Sequence, residues 1–222
     1  MDAVKKLKKK ELVVNGQPVS ILVDEEDSLA HVIRHQLGLT GTKVGCQKNQ
    51  CGVCNIILNG KVVRSCVTKM RMVSDESSII TIEGIGTPAA PHPLQLAWAK
   101  HGAAQCGFCS PGFIVSAYGL LQENPNPTRA EVRAHFKKTR NTCRCTGYKP
   151  NVDAVMAAAA VMRGDADIST LLTDPKEGER LYGSSYPRPS ALPKACGTWD
   201  FGADSMDKMP NSFLHLALVQ AK

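Results

Sequence analysis

Alternating apolar and polar positions mark the first third of the chain as strand. Leu12 to Val14, the pair Asn15-Gly16 and Val19 to Val23 make a hairpin, because Asn-Gly supplies the two positive-φ residues of a tight turn. Asn55 to Leu58, Asn59-Gly60 and Lys61 to Val63 repeat the device. Between them the apolar spacing turns helical, with Ser28 placed to cap a helix over Leu29 to Leu37 that stops at Gly38. Two hairpins and one helix predict a small α+β domain with a mixed sheet over residues 11–84.

After Glu83 the pattern changes. Thr87-Pro88 and Pro91-His92-Pro93 form a joint. A helix is then expected from Leu94 to Lys100, ending at Gly102. A second opens with Ser110 as cap and Pro111 at the first helical position and runs to about Gln122. Thr128 and Glu131 form a capping box for a third, reaching Lys138, and Asn151 caps a fourth, Val152 to Met162, that ends at Gly164. Residues 85–164 are thus a compact helical domain, in which Trp98 is core and the alanines at 157–160 give close helix packing. Residues 165–195 are rich in Pro, Gly and Ser and predict an extended connector. In 196–222, Phe213 to Val219 is an expected strand that is still running at Lys222.

Charge and composition narrow the function classes. The net charge of +7 comes mostly from residues 1–10, which hold five lysines against one acid and predict a solvated tail. Aromatics are only 5%, too few for a basic nucleic-acid face with stacking partners. No apolar run reaches the roughly 18 residues that span a bilayer, and the lysine-rich start lacks a secretory apolar region. The expectation is a cytoplasmic protein with neither nucleic acid nor membrane as a partner.

The nine cysteines carry the chemistry. They are too sparse for a disulfide scaffold and fall into two sets of four, with Cys196 left over as a small packed residue. Cys46, Cys51, Cys54 and Cys66 have the spacing C-x4-C-x2-C-x11-C, which is the plant-type iron–sulfur pattern with a distant fourth ligand. Such a loop must turn N–H groups toward negatively charged sulfur, and Gly45, Asn49 and Gly52 stand where positive φ is expected. Cys106, Cys109, Cys143 and Cys145 have the spacing C-x2-C-x33-C-x-C and fall at two helix junctions that an antiparallel bundle can bring to one end. Zinc is the alternative for either set, and a stronger one for the second. His31 and His35 lie four apart on a helix but lack two further ligands.

Gln105-Cys106-Gly107-Phe108-Cys109-Ser110-Pro111-Gly112-Phe113, with Cys143-Arg144-Cys145-Thr146-Gly147-Tyr148, resembles the signature of the molybdenum hydroxylases, the xanthine oxidase and aldehyde oxidoreductase family. Gly45-Cys46 and Cys51-Gly52-Val53-Cys54 are similar to that family's plant-type cluster loop. The resemblance implies a β-grasp ferredoxin domain followed by a four-helix bundle, each holding one 2Fe-2S cluster. Cys46, Cys51, Cys54 and Cys66 would ligate the outer cluster and Cys106, Cys109, Cys143 and Cys145 the inner one. Gln105 and Cys145 would also contact a molybdopterin, in its cytosine dinucleotide form. Asn49 departs from the family, which has Gly there. Residues 196–222 resemble the opening of the molybdenum-binding domain of flavin-free bacterial aldehyde oxidoreductases, with Phe201-Gly202-Ala203-Asp204 and His215 to Lys222 carrying the likeness.

On this resemblance the chain would be the iron–sulfur part of an oxidoreductase that hydroxylates an aldehyde or N-heterocycle, with the substrate site elsewhere. Its partners would be a molybdenum-binding large domain or subunit and an external acceptor: a flavodoxin, a ferredoxin or a flavoprotein. A free-standing two-cluster electron carrier is the rival. Against that rival, the segment from Cys196 onward has no evident use in a carrier.

Overall fold

The computed structural model describes residues 7–172, 182–183, 186–206 and 209. Five strands form one mixed sheet: β1 (Leu7–Val14), β2 (Gln17–Asp24), β3 (Asn55–Leu58), β4 (Lys61–Arg64) and β5 (Ser78–Ile80), in the order β2-β1-β5-β3-β4. β1 and β5 run parallel and the other neighbours antiparallel. Both expected hairpins form, with Asn15, Gly16, Asn59 and Gly60 all at positive φ. Ser28 accepts the His31 N–H and opens α1 (Leu29–His31), which passes into a π-helical turn over Val32–Gln36 before Gly38.

The alternation along β3 decides the architecture. Ile56 faces a core made with Leu12, Val23, Leu29, Ile33 and Ile79, while its neighbour Ile57 faces the core of the helical half. A strand buried on both faces is shared by the two units. After α2 (Ile82–Ile85), the helical half is built from α3 (Pro93–Lys100), α4 (Ser110–Glu123), α5 (Arg129–Lys138) and α6 (Tyr148–Arg163) around Trp98, Phe113, Ile114, Val132 and Val155. Thr128 and Glu131 form the expected reciprocal cap, and Gly164 ends α6 at φ 81°.

Several expectations change. Residues 7–10 are strand rather than solvated tail, since β1 extends to Leu7 opposite Asp24. The lysines fit because alternation turns Lys10 inward, where its Nζ donates to the Val73 carbonyl at 2.7 Å, while Lys8 reaches Glu25 outside. Ser110 lies inside α4 and accepts the Trp98 indole N–H at 3.2 Å, so Cys109 holds the cap position. Asn151 likewise lies inside α6, which starts a turn earlier after Gly147. The end of the connector folds as α7 (Ala191–Ala195), with Ala191 and Ala195 buried against the helical core. The strand expected at 213–219 lies outside the described residues.

Candidate metal centres

The first thiol group grows out of the loop between the π-helical turn and β3, and Cys66 joins it just beyond β4. Between Cys46 and Cys54, three residues take left-handed backbone: Gln47 at φ 52°, Asn49 at 58° and Gly52 at 61°. Gln47 was not expected. Gly45, which was, has no positive φ and is needed for space instead, since a Cβ there would stand 3.3 Å from the Cys51 sulfur and 3.7 Å from the Phe108 ring. Asn49 is held in its turn by the Arg64 guanidinium, which donates to its side-chain oxygen.

These turns point N–H groups at sulfur. Lys48 and Gln50 donate to the Cys46 Sγ at 3.4 and 3.3 Å. Burial pushes the Cys46 thiol up, and these N–H groups more than offset it, bringing it down to about 7. Cys51 is raised by burial and Cys54 is pushed up to about 12, again chiefly by burial. The thiols touch in sequence: Cys46 with Cys51, and Cys54 with Cys66, with Cys51 also close enough to act on Cys54.

The second group sits where helices begin. Cys106 and Cys109 precede α4, and Cys143 and Cys145 precede α6. Cys106 meets Cys145, and Cys109 meets Cys143. The Gly147 N–H donates to the Cys143 sulfur at 3.4 Å, and the Cys143 N–H goes to the Tyr148 hydroxyl at 3.1 Å. Burial raises Cys106 and Cys109, whereas the Cys106 N–H lowers Cys145. The side chain of Gln105 stands beside this group, its Nε2 3.3 Å from where a Cβ on Gly147 would be.

The fold presses the two groups together. Gly112 and Gly119 on α4 face the sheet unit, and a Cβ on Gly112 would fall 2.5 Å from the Gly52 carbonyl. Asn55 donates to Ser116 at 2.9 Å and to the Thr139 carbonyl at 3.1 Å, Asn141 donates to the Gly52 carbonyl, and the Thr142 N–H donates to the Cys51 carbonyl at 3.0 Å. Phe108, between Cys106 and Cys109, stands edge-on to Phe201 at 5.3 Å and beside Gly45.

The segment after Cys196 has a use that its sequence did not suggest. Asp204 is buried between Arg34 at 2.6 Å and Lys43 at 2.7 Å, and Lys43 also lies over the Phe201 ring. Burial acts against the Asp204 carboxylate, yet Lys43, the Phe201 N–H and Arg34 hold its pKa below the usual range. Cys196 is fully buried and its thiol is pushed up to about 12, as suits a packed residue. The His31 and His35 rings lie 4.8 Å apart, tilted by 42°.

Eight thiols in two sets of four are the donor chemistry that iron–sulfur clusters take. Within each set the thiols meet in pairs. Among the described residues, no three His, Cys, Asp or Glu side chains gather closely enough to hold a single metal ion. Two pairs suit a two-iron group, in which each iron takes two thiolates.

Residues 12–78 match the 2Fe-2S iron-sulfur cluster binding domain family, and residues 81–156 match the family of the 2Fe-2S binding domain. The chain is therefore a two-centre iron–sulfur protein. It is 58% identical over 213 residues to the aldehyde oxidoreductase of Megalodesulfovibrio gigas, a match covering 96% of this chain and 24% of that one. It is 44% identical over 145 residues to the nicotine 6-hydroxylase small subunit of Paenarthrobacter nicotinovorans, covering 65% of this chain and 86% of that subunit. The solved aldehyde oxidoreductase from Desulfovibrio gigas superposes with a TM-score of 0.91 at 58% identity, over 97% of this chain and 24% of that one. The chain belongs to the molybdenum hydroxylase family and corresponds to its iron–sulfur portion. It spans about a quarter of the length of the aldehyde oxidoreductase it matches.

Proposed function

We propose that this chain carries electrons, one at a time, from a molybdopterin-bearing partner to an external acceptor in an aldehyde- or N-heterocycle-hydroxylating enzyme. Cys46, Cys51, Cys54 and Cys66 hold one cluster, and Cys106, Cys109, Cys143 and Cys145 the other. A bound 2Fe-2S cluster supplies reversible one-electron chemistry. The chain's own residues do the rest. N–H groups of Lys48, Gln50 and Gly147 compensate sulfur charge, and the seam of Asn55, Ser116 and Asn141 fixes the distance between the two groups. Gln105 and Cys145, on the more open side of the second group, face the pterin, and the partner is a molybdenum-binding domain or subunit.

The observation that carries this reading is the pairing of all eight thiols within one continuous body, on a chain whose relatives include both a whole aldehyde oxidoreductase and a separate small subunit. Among the described residues no helix is long and apolar enough to cross a membrane. The test is the iron, molybdenum and zinc content of natively purified protein with whatever accompanies it. About four irons per chain together with molybdenum on a co-purifying polypeptide is the expected result. The same iron without molybdenum or partner would favour a free carrier, and zinc in place of iron would sink both.

A further inference from the structure

Asn151 stands in the first turn of α6 and is only 1% exposed, yet neither its side-chain oxygen nor its nitrogen has a hydrogen-bond partner. Leaving a buried polar group unpaired costs stability, because its hydration is lost with nothing in return. Gln95, buried as deeply, avoids that cost: its oxygen accepts the His92 N–H and its nitrogen donates to the Gly86 carbonyl. Asn151 is thus an unusual buried amide for this protein, and its position says what it faces. A Cβ on Gly147 would lie 3.6 Å from the Asn151 Oδ1, 3.6 Å from the Cys143 sulfur and 3.3 Å from the Gln105 Nε2. The bare Cα of Gly147 therefore leaves a corner shared by a thiol and two carboxamides. Oxygen and nitrogen of the amide exchange by a simple flip, so Asn151 can turn a donor toward that corner.

We infer that Asn151 is a sulfur-directed donor of the second centre, its side-chain N–H bonding to the Cys143 sulfur or to the cluster sulfide next to it. The inference rests on the proposed function, in which those thiols hold a cluster. A pterin is the weaker candidate for the same amide. An external group reaches this centre from the side of Cys106, which is exposed, whereas Asn151 and Cys143 both lie on the buried side. An N–H on sulfur stabilises the additional negative charge of the reduced cluster, so Asn151 raises the reduction potential of that centre alone. It is a positioning residue, acting on the ligand environment rather than on any reacting atom.

The test is a redox titration of the native protein, followed by the electron paramagnetic resonance of each reduced centre, on wild type and Asn151→Leu. Leucine keeps the branched shape, with two methyls in place of the amide oxygen and nitrogen, and removes the donor. The expected result is full iron content, an unmoved first centre, and a second centre made about tenfold harder to reduce, which is 59 mV for one electron. Asn151→Val, smaller and equally without a donor, should shift it the same way and serves if leucine disturbs packing. An unmoved second centre with full iron overturns the inference, as does an equal shift of both centres or loss of the second cluster in both variants. Wild-type protein holding only the first pair of irons would overturn the parent reading instead, and is visible before any variant is made.

Discussion

The two thiol groups solve one problem by different means. The first is held by a loop, in which Gln47, Asn49 and Gly52 bend the backbone so that successive N–H groups point at one sulfur. The second is held by helix starts. Its cysteines flank α4 and α6, and the backbone N–H groups that reach its sulfurs are spread out: Gly147 to Cys143, Phe108 to Cys106 and Cys106 to Cys145. A loop can donate many N–H groups because none is needed for regular structure, whereas a helix end offers only its first turn. The difference teaches that the loop site gathers several donors on one sulfur through backbone conformation, while the helical site takes single donors from the turns that open α4 and α6.

The largest perturbation of that contrast is expected at Asp204, which pins the segment after Cys196 beside the first group. Asp204→Ala leaves Arg34 and Lys43 buried without their carboxylate, a change that typically costs about 3–5 kcal/mol. Denaturant unfolding should show that loss, and the spectrum of the first centre should change more than that of the second. An unchanged midpoint would mean that the ion pairs contribute nothing to the fold.

Gly52→Ala tests the loop itself. At φ 61° the new methyl is strained by about 1–2 kcal/mol, and it would also stand 2.7 Å from the Thr139 carbonyl. Gly60→Ala, with positive φ but nothing within 4 Å, carries the strain alone. Iron analysis should show the first centre lost or weakened in Gly52→Ala and intact in Gly60→Ala. Equal behaviour of the two would remove the seam from the argument.

The smallest effect is a pH dependence in the helical half. His92 caps α3, its Nδ1 accepting the Leu94 N–H at 3.1 Å, and burial lowers its pKa, as it does for His101 and His135. The fold therefore favours neutral rings. Stability from them is present above about pH 6.5 and is lost as pH falls through their lowered folded values. Protonating Nδ1 also removes the cap, a loss of about 1 kcal/mol. Thermal midpoints measured from pH 7.5 down to pH 5 should decline, and His92→Asn, which keeps an acceptor without titrating, should flatten the profile.

Much of this was legible in the chain. Asn-Gly pairs announced both hairpins, and Thr128 with Glu131 announced α5, because such devices act within a few residues. The sulfur spacing of the first group was equally local. Ser110 and Asn151 misled because each is a good cap by type, while packing placed one under Trp98 and the other beside Cys143.

The sequence by itself determined the elements, the two sets of cysteines and the need for unusual backbone around Cys46, since each is a matter of neighbours along the chain. Only the tertiary structure decided that Ile56 and Ile57 serve two different cores, that Lys10 turns inward, and that Asp204 returns 161 residues to meet Lys43. It also decided which buried amides, like Gln95, find partners and which, like Asn151, do not. Burial and charge pairing belong to surfaces that meet across the fold, and no local pattern encodes which surfaces those are.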